Sequence, residues 1–258
     1  MTTHPQSNEK SLLNKVADVT VLFWAIKIIS TTVGEASADF FVHQFGYISI
    51  LVTFLLLAAS IVVQIRFKRY IPWMYWMVIV LVAVFGTMFS DGIHHLGLPL
   101  SVSSAIFIVA LLSTFGIWYA CEKSLNVHSI RSTRREMFYW TVILFTFALG
   151  TSLGDLVAGT FHFGYLDATL IFGAVMIITP ILLYLFRVNK IALFWITYIL
   201  TRPFGAAGAD LLAKPTARGG FGFGDGAISI IFMSIIVALI IYLTIAHKKA
   251  MLAEERVG

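Results

Sequence analysis

The chain has 258 residues, of which 59% are hydrophobic and only 12% charged, about half the charge of an ordinary soluble domain. That balance excludes a soluble globule, a disordered chain and a secreted disulfide scaffold, and the single cysteine, Cys121, permits neither an intrachain bridge nor a cysteine metal cluster. The formal net charge of +5 suggests nucleic acid until the basic residues are located; their placement reports topology, and no nucleic-acid partner is expected.

The opening stretch, MTTHPQSNEKSLLNK, is polar. It lacks the basic region, short apolar run and small-residue site of a cleavable signal, so the first apolar segment is expected to stay as a helix. A helix crossing the ~30 Å hydrocarbon layer needs about 20 apolar residues. Eight spans are predicted, near 19–42, 46–65, 72–95, 101–120, 137–160, 166–186, 191–213 and 226–246. Their connections alternate in character. One set is basic, with Arg66, Lys68 and Arg69, then Lys123, Arg131, Arg134 and Arg135, then Arg187 and Lys190. The other is short and rich in Gly or aromatics around Gly46, Pro99 and Gly164, with a longer fourth member, KPTARGGFGFGDG. With both tails on the basic side, that side holds every Lys and Arg except Lys27, Arg202, Lys214 and Arg218. The positive-inside rule then places both termini in the cytoplasm.

An internal repeat organises the spans. The segments FWAIKIISTTVGEASADFF, YWMVIVLVAVFGTMFSDGI, YWTVILFTFALGTSLGDLV and FWITYILTRPFGAAGADLL align. Each opens on an aromatic–Trp pair (Trp24, Trp76, Trp140, Trp195), carries a Gly ten positions on (Gly34, Gly86, Gly150, Gly205) and an Asp five beyond it (Asp39, Asp91, Asp155, Asp210). The expected fold is therefore all-α: one polytopic membrane domain of eight transmembrane helices, built as four parallel tandem helical hairpins at about 19–69, 70–123, 137–190 and 191–249. With these residues the chain resembles a family of bacterial integral membrane proteins made of four tandem two-helix repeats, each with a characteristic Trp and no assigned function. The resemblance implies the bacterial cytoplasmic (inner) membrane and no particular chemistry.

Fifteen residues at 1.5 Å each set every repeat Asp about 22 Å along its helix from the Trp. With the Trp at the cytoplasmic interface, the four carboxylates are expected to gather around an outward-facing cavity. Glu35 lies four residues before Asp39 on the same helix face, and two carboxylates so close in a poorly solvated site favour binding and release of a proton. Arg202 falls near mid-span and needs a counter-ion, for which Glu35, Asp39 and Asp210 are the candidates; Pro203 and Gly205 are expected to break or kink its helix. Asp39 and His43, and Asp91 and His95, are spaced i, i+4, with His94 alongside. That spacing suits a carboxylate–imidazole bond or two metal ligands on one face. Asp167 and Asp225 begin return helices, where N-capping is sufficient explanation.

No phosphate loop, dinucleotide fingerprint, zinc-protease helix or nucleophile elbow is present, so neither an enzyme nor a cofactor is expected. The expected function is proton-coupled secondary transport, with export of a small amphipathic cationic or zwitterionic compound. Glu35, Asp39, Asp91, Asp155, Arg202 and Asp210 would hold substrate and protons. Two alternatives stand beside it. One is divalent-metal transport through His43, His94 and His95 with Asp39 and Asp91; the other is a non-transporting protein that holds lipid or a partner helix. The partners expected are the lipid bilayer, a small-molecule or ion substrate, and protons.

Overall fold

The computed structural model describes residues 14–254; most of the polar N-terminal stretch lies outside them. Eight helices are long and apolar enough to cross a membrane: α1 (Val21–Phe45), α2 (Ile48–Arg66), α3 (Pro72–His95), α4 (Leu100–Glu122), α5 (Thr133–Asp155), α6 (Gly164–Leu185), α7 (Lys190–Ala213) and α8 (Asp225–Glu254). Local chemistry sets their ends. Thr20, Ser132 and Asn189 accept backbone N–H bonds at the starts of α1, α5 and α7, which satisfies donors that the first turn leaves free. Pro72 opens α3, where its missing N–H costs nothing. Arg202 sits in an unbroken α7 that runs through Pro203, so the expected break at Pro203 and Gly205 is not found. Neighbouring hydroxyls lie beside the carbonyls around the proline: Thr31 Oγ1 is 3.5 Å from the Thr201 carbonyl, and Thr32 Oγ1 is 3.5 Å from that of Gly205.

The odd-numbered helices form an inner ring in which α1 packs on α3, α3 on α5, α5 on α7 and α7 back on α1. The even-numbered helices clothe it. Each outer helix packs chiefly on the inner helix of the following repeat: α2 on α3, α4 on α5, α6 on α7, and α8 on α1. The hairpins are thus splayed rather than closed, and the fourth repeat covers the first. Outer helices present apolar rows such as Leu51, Leu55 and Val62 on α2 and Ile177, Ile181 and Leu185 on α6, the composition that lipid tails accept. Inner helices carry their Ser, Thr, Gly and Ala inward, where small residues let helices approach.

The four repeat glycines make this approach possible. A Cβ on Gly34 would meet Ala83, on Gly86 Phe147, on Gly150 Arg202, and on Gly205 Thr31. Each contacted residue stands seven positions after its own repeat Trp. One notch therefore recurs four times and closes the ring. The tryptophans depart from expectation: Trp76, Trp140 and Trp195 are buried rather than set at a lipid interface. They meet Tyr75, Tyr139, Phe194 and Tyr198 edge to face in an aromatic layer across one end of the bundle.

Residues 14–17 cross beneath that layer. Lys15 Nζ donates to Glu136 Oε2 at 2.6 Å and to the Ile65 carbonyl at 2.9 Å, while the Tyr70 amide donates to the Asn14 carbonyl at 3.0 Å. Glu136 is 1% exposed. Removing one partner of a buried pair costs about 3–5 kcal/mol because the other charge is stranded. Lys15→Met is therefore expected to lower the unfolding free energy by roughly that amount in a reversible denaturation assay, and Glu136→Gln in the same chain to restore most of it.

Candidate functional site

Counting from each repeat Trp, every fourth residue of an inner helix faces the ring axis, and these residues form layers. Three positions on stand Lys27, Ile79, Ile143 and Tyr198; at seven, Thr31, Ala83, Phe147 and Arg202; at eleven, Glu35, Thr87, Thr151 and Ala206. All twelve are buried. At fifteen come Asp39, Asp91, Asp155 and Asp210, where the axis widens.

The third layer is joined to Arg202. One guanidinium nitrogen of Arg202 donates to Glu35 Oε2 at 2.7 Å, to Thr151 Oγ1 at 2.7 Å and to Thr87 Oγ1. Its other terminal nitrogen donates to the Thr31 carbonyl at 3.3 Å. The Thr87 and Thr151 hydroxyls lie 3.3 and 3.2 Å from the same Glu35 oxygen. Three equivalent side chains from three repeats thus meet one arginine from the fourth. Arg202 is fully buried and the Glu35 side chain 4% exposed, so each charge depends on the other for its solvation.

Next to this pair the acidic layer opens into a cavity of about 600 Å³. Its polar lining includes Asp39, Asp91, Asp225, His43 and His95, and its apolar walls Val42, Ile50 and Met88. Lys214, just beyond α7, reaches into it. Its ammonium lies 2.5 Å from Asp39, 3.4 Å from Asp225 and 3.6 Å from Asp210. Burial alone would lower the Lys214 pKa, but Asp39, Asp210 and the hydrogen bond to Asp39 outweigh it and hold the group above its ordinary value. Lys214 is an ammonium throughout the physiological range, and the stability it lends fades only in strong alkali. The glycine-rich loop holds it in place, since the Phe221, Phe223 and Gly224 amides donate to the Leu211, Leu212 and Ala213 carbonyls at 2.7, 3.1 and 3.0 Å. A Cβ on Gly220 would strike the Lys214 carbonyl.

The acidic residues expected to gather lie close together. Oxygen atoms of Glu35, Asp155 and Asp210 lie within 4.8 Å of one another, and Asp39 and Asp91 share the cavity. Of the candidate counter-ions to Arg202, Glu35 fills the role. The histidines behave differently. His94 Nδ1 lies 2.9 Å from the Leu98 carbonyl, and His43 and His95 sit exposed at the cavity rim. Among the described residues they stand outside the carboxylate group that has metal-site spacing. Asp225 is the first residue of α8 and lies 3.4 Å from Lys214, whereas Asp167 sits in the first turn of α6 behind Phe163, which occupies the cap position. Thr87 and Thr151 belong to the site without standing out in the sequence. The repeat alignment carries the signal for the two threonines, which occupy the position of Glu35.

A family model described as Repeat of Unknown Function (DUF347) matches four stretches, 22–70, 74–124, 138–189 and 193–249. These span nearly all of the described chain. The fold and site thus define a four-repeat, eight-helix membrane protein, and the chain belongs to this repeat family. No curated protein and no solved structure matches it.

Proposed function

We propose that the protein is a proton-coupled secondary transporter of the bacterial cytoplasmic membrane, with both termini in the cytoplasm, exporting a small amphipathic cationic or zwitterionic organic compound. The observation that carries this reading is the buried Glu35–Arg202 pair, with Glu35 one helical turn from Asp39, which lines an acidic cavity together with Asp91. An intramembrane carboxylate paired with a base is a usual element of proton-driven carriers. The cavity walls combine carboxylates with apolar side chains, which suits an ammonium attached to a hydrophobic body.

In this mechanism the Asp end faces outward. Asp39, Asp91, Asp155 and Asp210 attract the cation, which leaves when protons from outside neutralise Asp39 and Asp91 in the cavity. Protonation of Glu35 removes the acceptor that holds Arg202, and the guanidinium turns toward Asp210 or Asp155. Because Arg202 fills the notch at Gly150, its movement shifts α5 against α7, and the inner helices tilt to open the Trp end. The repeats run parallel and are related by an axis along the membrane normal, so the four inner helices can tilt alike around it.

The test is ethidium movement in proteoliposomes with an acidic lumen. Accumulation above protein-free vesicles is expected, falling at least tenfold in Asp91→Asn. Accumulation equal to that of empty vesicles, for ethidium and tetraphenylphosphonium alike, would overturn the reading.

A second reading, divalent-cation transport, draws on the spacing of Glu35, Asp155 and Asp210. Oxygen ligands at about 2.0–2.6 Å from an ion stand about 4–5 Å apart across it. Manganese would then raise the melting temperature, and Asp155→Asn would remove that rise.

A further inference from the structure

Lys27 is fully buried in α1, in the layer nearest the aromatic end. Its Nζ lies 3.9 Å from the centre of the Phe147 ring and 4.2 Å from that of Tyr198, and has no hydrogen-bond partner among the described residues. Arg202 shares the Phe147 ring, its guanidinium carbon 5.2 Å from the centre. The groups facing Lys27 are Arg202 and Tyr198 from α7, Phe147, Ile143 and Tyr139 from α5, and Ile79 and Tyr75 from α3. Outer helices α2 and α8 also touch α1: Tyr47 and Arg66 flank α2, Asp225, His247, Lys248 and Lys249 lie toward the two ends of α8, and Tyr242 stands in its body. None of the groups that these helices bring to the level of Lys27 is a carboxylate.

An ammonium carries three donors. Buried without an acceptor or counter-charge it is strongly disfavoured, and two aromatic faces return only part of the lost hydration. The surroundings therefore suit an amine with its lone pair free. On the same face of α1, at four-residue steps of about 6 Å, stand Thr31 and then Glu35. The Thr31 hydroxyl donates to the Ile28 carbonyl at 2.5 Å and lies in the notch at Gly205, so it does not bridge the two charged groups.

We propose that Lys27 is a proton-carrying residue of the transport cycle, receiving the proton that Glu35 takes from the acidic cavity. The inference rests on the transporter reading above. In the step, Glu35 loses its proton and regains the negative charge that re-forms the pair with Arg202. Water admitted as the inner helices tilt carries that proton about 12 Å along α1, and the Lys27 lone pair takes it. Lys27 releases it at the Trp end once water enters there. Tyr75 and Tyr139, with hydroxyls 2.5 Å apart, lie on that side.

The experiment compares wild type, Lys27→Met and Lys27→Arg in proteoliposomes. It measures pH-gradient-driven ethidium accumulation and, separately, ethidium exchange without a gradient. Lys27→Met is expected to lose at least tenfold in driven accumulation while keeping exchange within about twofold of wild type. Lys27→Arg should lose driven accumulation too, because a guanidinium does not give up its proton; a purely structural need for charge would be met by Arg. Driven accumulation at the wild-type level in Lys27→Met, or rescue by Lys27→Arg, would overturn the proposal for Lys27 alone. Wild type that neither accumulates nor exchanges ethidium or tetraphenylphosphonium would overturn the transporter reading and this role with it. Should Lys27→Met lose exchange as well, its melting temperature decides: an unchanged value also overturns the proposal, and with a lowered one the milder Lys27→Gln is held to the same two criteria.

Discussion

Glu35→Gln is expected to abolish pH-gradient-driven accumulation and to lower the unfolding free energy by about 3–5 kcal/mol, the cost of stranding one charge of a buried pair. The glutamine retains the volume and an acceptor oxygen, so the hydroxyls of Thr87 and Thr151, 3.3 and 3.2 Å from the Glu35 oxygen, keep a partner. What disappears is the charge that balances Arg202. Adding Arg202→Met removes the stranded guanidinium as well, and the double variant should recover much of the lost stability, as expected when both members of a buried pair become neutral. It should not recover driven flux. That split separates a structural pair from a working one. If the double variant transports like wild type, Glu35 and Arg202 are ballast and the proton enters elsewhere. If Glu35→Gln alone leaves both stability and flux unchanged, the two charges do not depend on each other as their burial implies.

Much of this architecture is legible in the amino-acid order because lipid and repetition both simplify it. Eight apolar windows separated by basic or glycine-rich connections define the spans, and four coincident Trp–Gly–Asp frames give the internal symmetry. Glu35 and Arg202 stand out because a charge deep in an apolar segment demands a partner. Other features require the ring itself. Hydropathy does not say that α2 leaves its own hairpin partner to cover α3, nor that α8 returns to α1; that follows from how the inner helices close. Trp76 and Trp140 look like interfacial anchors until the neighbouring repeats bury them. Pro203 reads as a break, yet the helix continues through it with Thr31 and Thr32 alongside its carbonyls. Thr87 and Thr151 are unremarkable on their own helices and gain meaning only as the counterparts of Glu35. Lys214 reads as a loop cation, and only the packing of the glycine-rich loop turns it onto Asp39.

The ring makes a second demand, on close helix approach rather than on charge. Gly205→Ala is expected to destabilise strongly, by the roughly 1–3 kcal/mol typical of overpacking or more. The new methyl would overlap the Thr31 side chain and come 3.3 Å from its backbone carbon, so rotating Thr31 relieves only part of the clash. Moving the backbone would separate α7 from α1 at the contact that closes the ring. Gly150→Ala should behave alike, because its Cβ would strike the Cβ and Cγ of Arg202 and come 3.1 Å from its backbone carbon. Gly34→Ala and Gly86→Ala should follow, with Cβ contacts of 2.5 Å to Ala83 and 2.7 Å to Phe147. Gly92 supplies the comparison. It lies in α3 with nothing within 4 Å of the place a Cβ would take, so Gly92→Ala is expected to be neutral or to stabilise by up to ~1 kcal/mol through helix propensity. Melting temperatures of the five variants in one detergent check this directly. Four losses and one gain would mean that close helix approach at equivalent notches holds the bundle together; uniform small gains would mean that the inner helices do not meet at those glycines, and the alignment of Glu35, Thr87 and Thr151 on Arg202 would lose its structural basis.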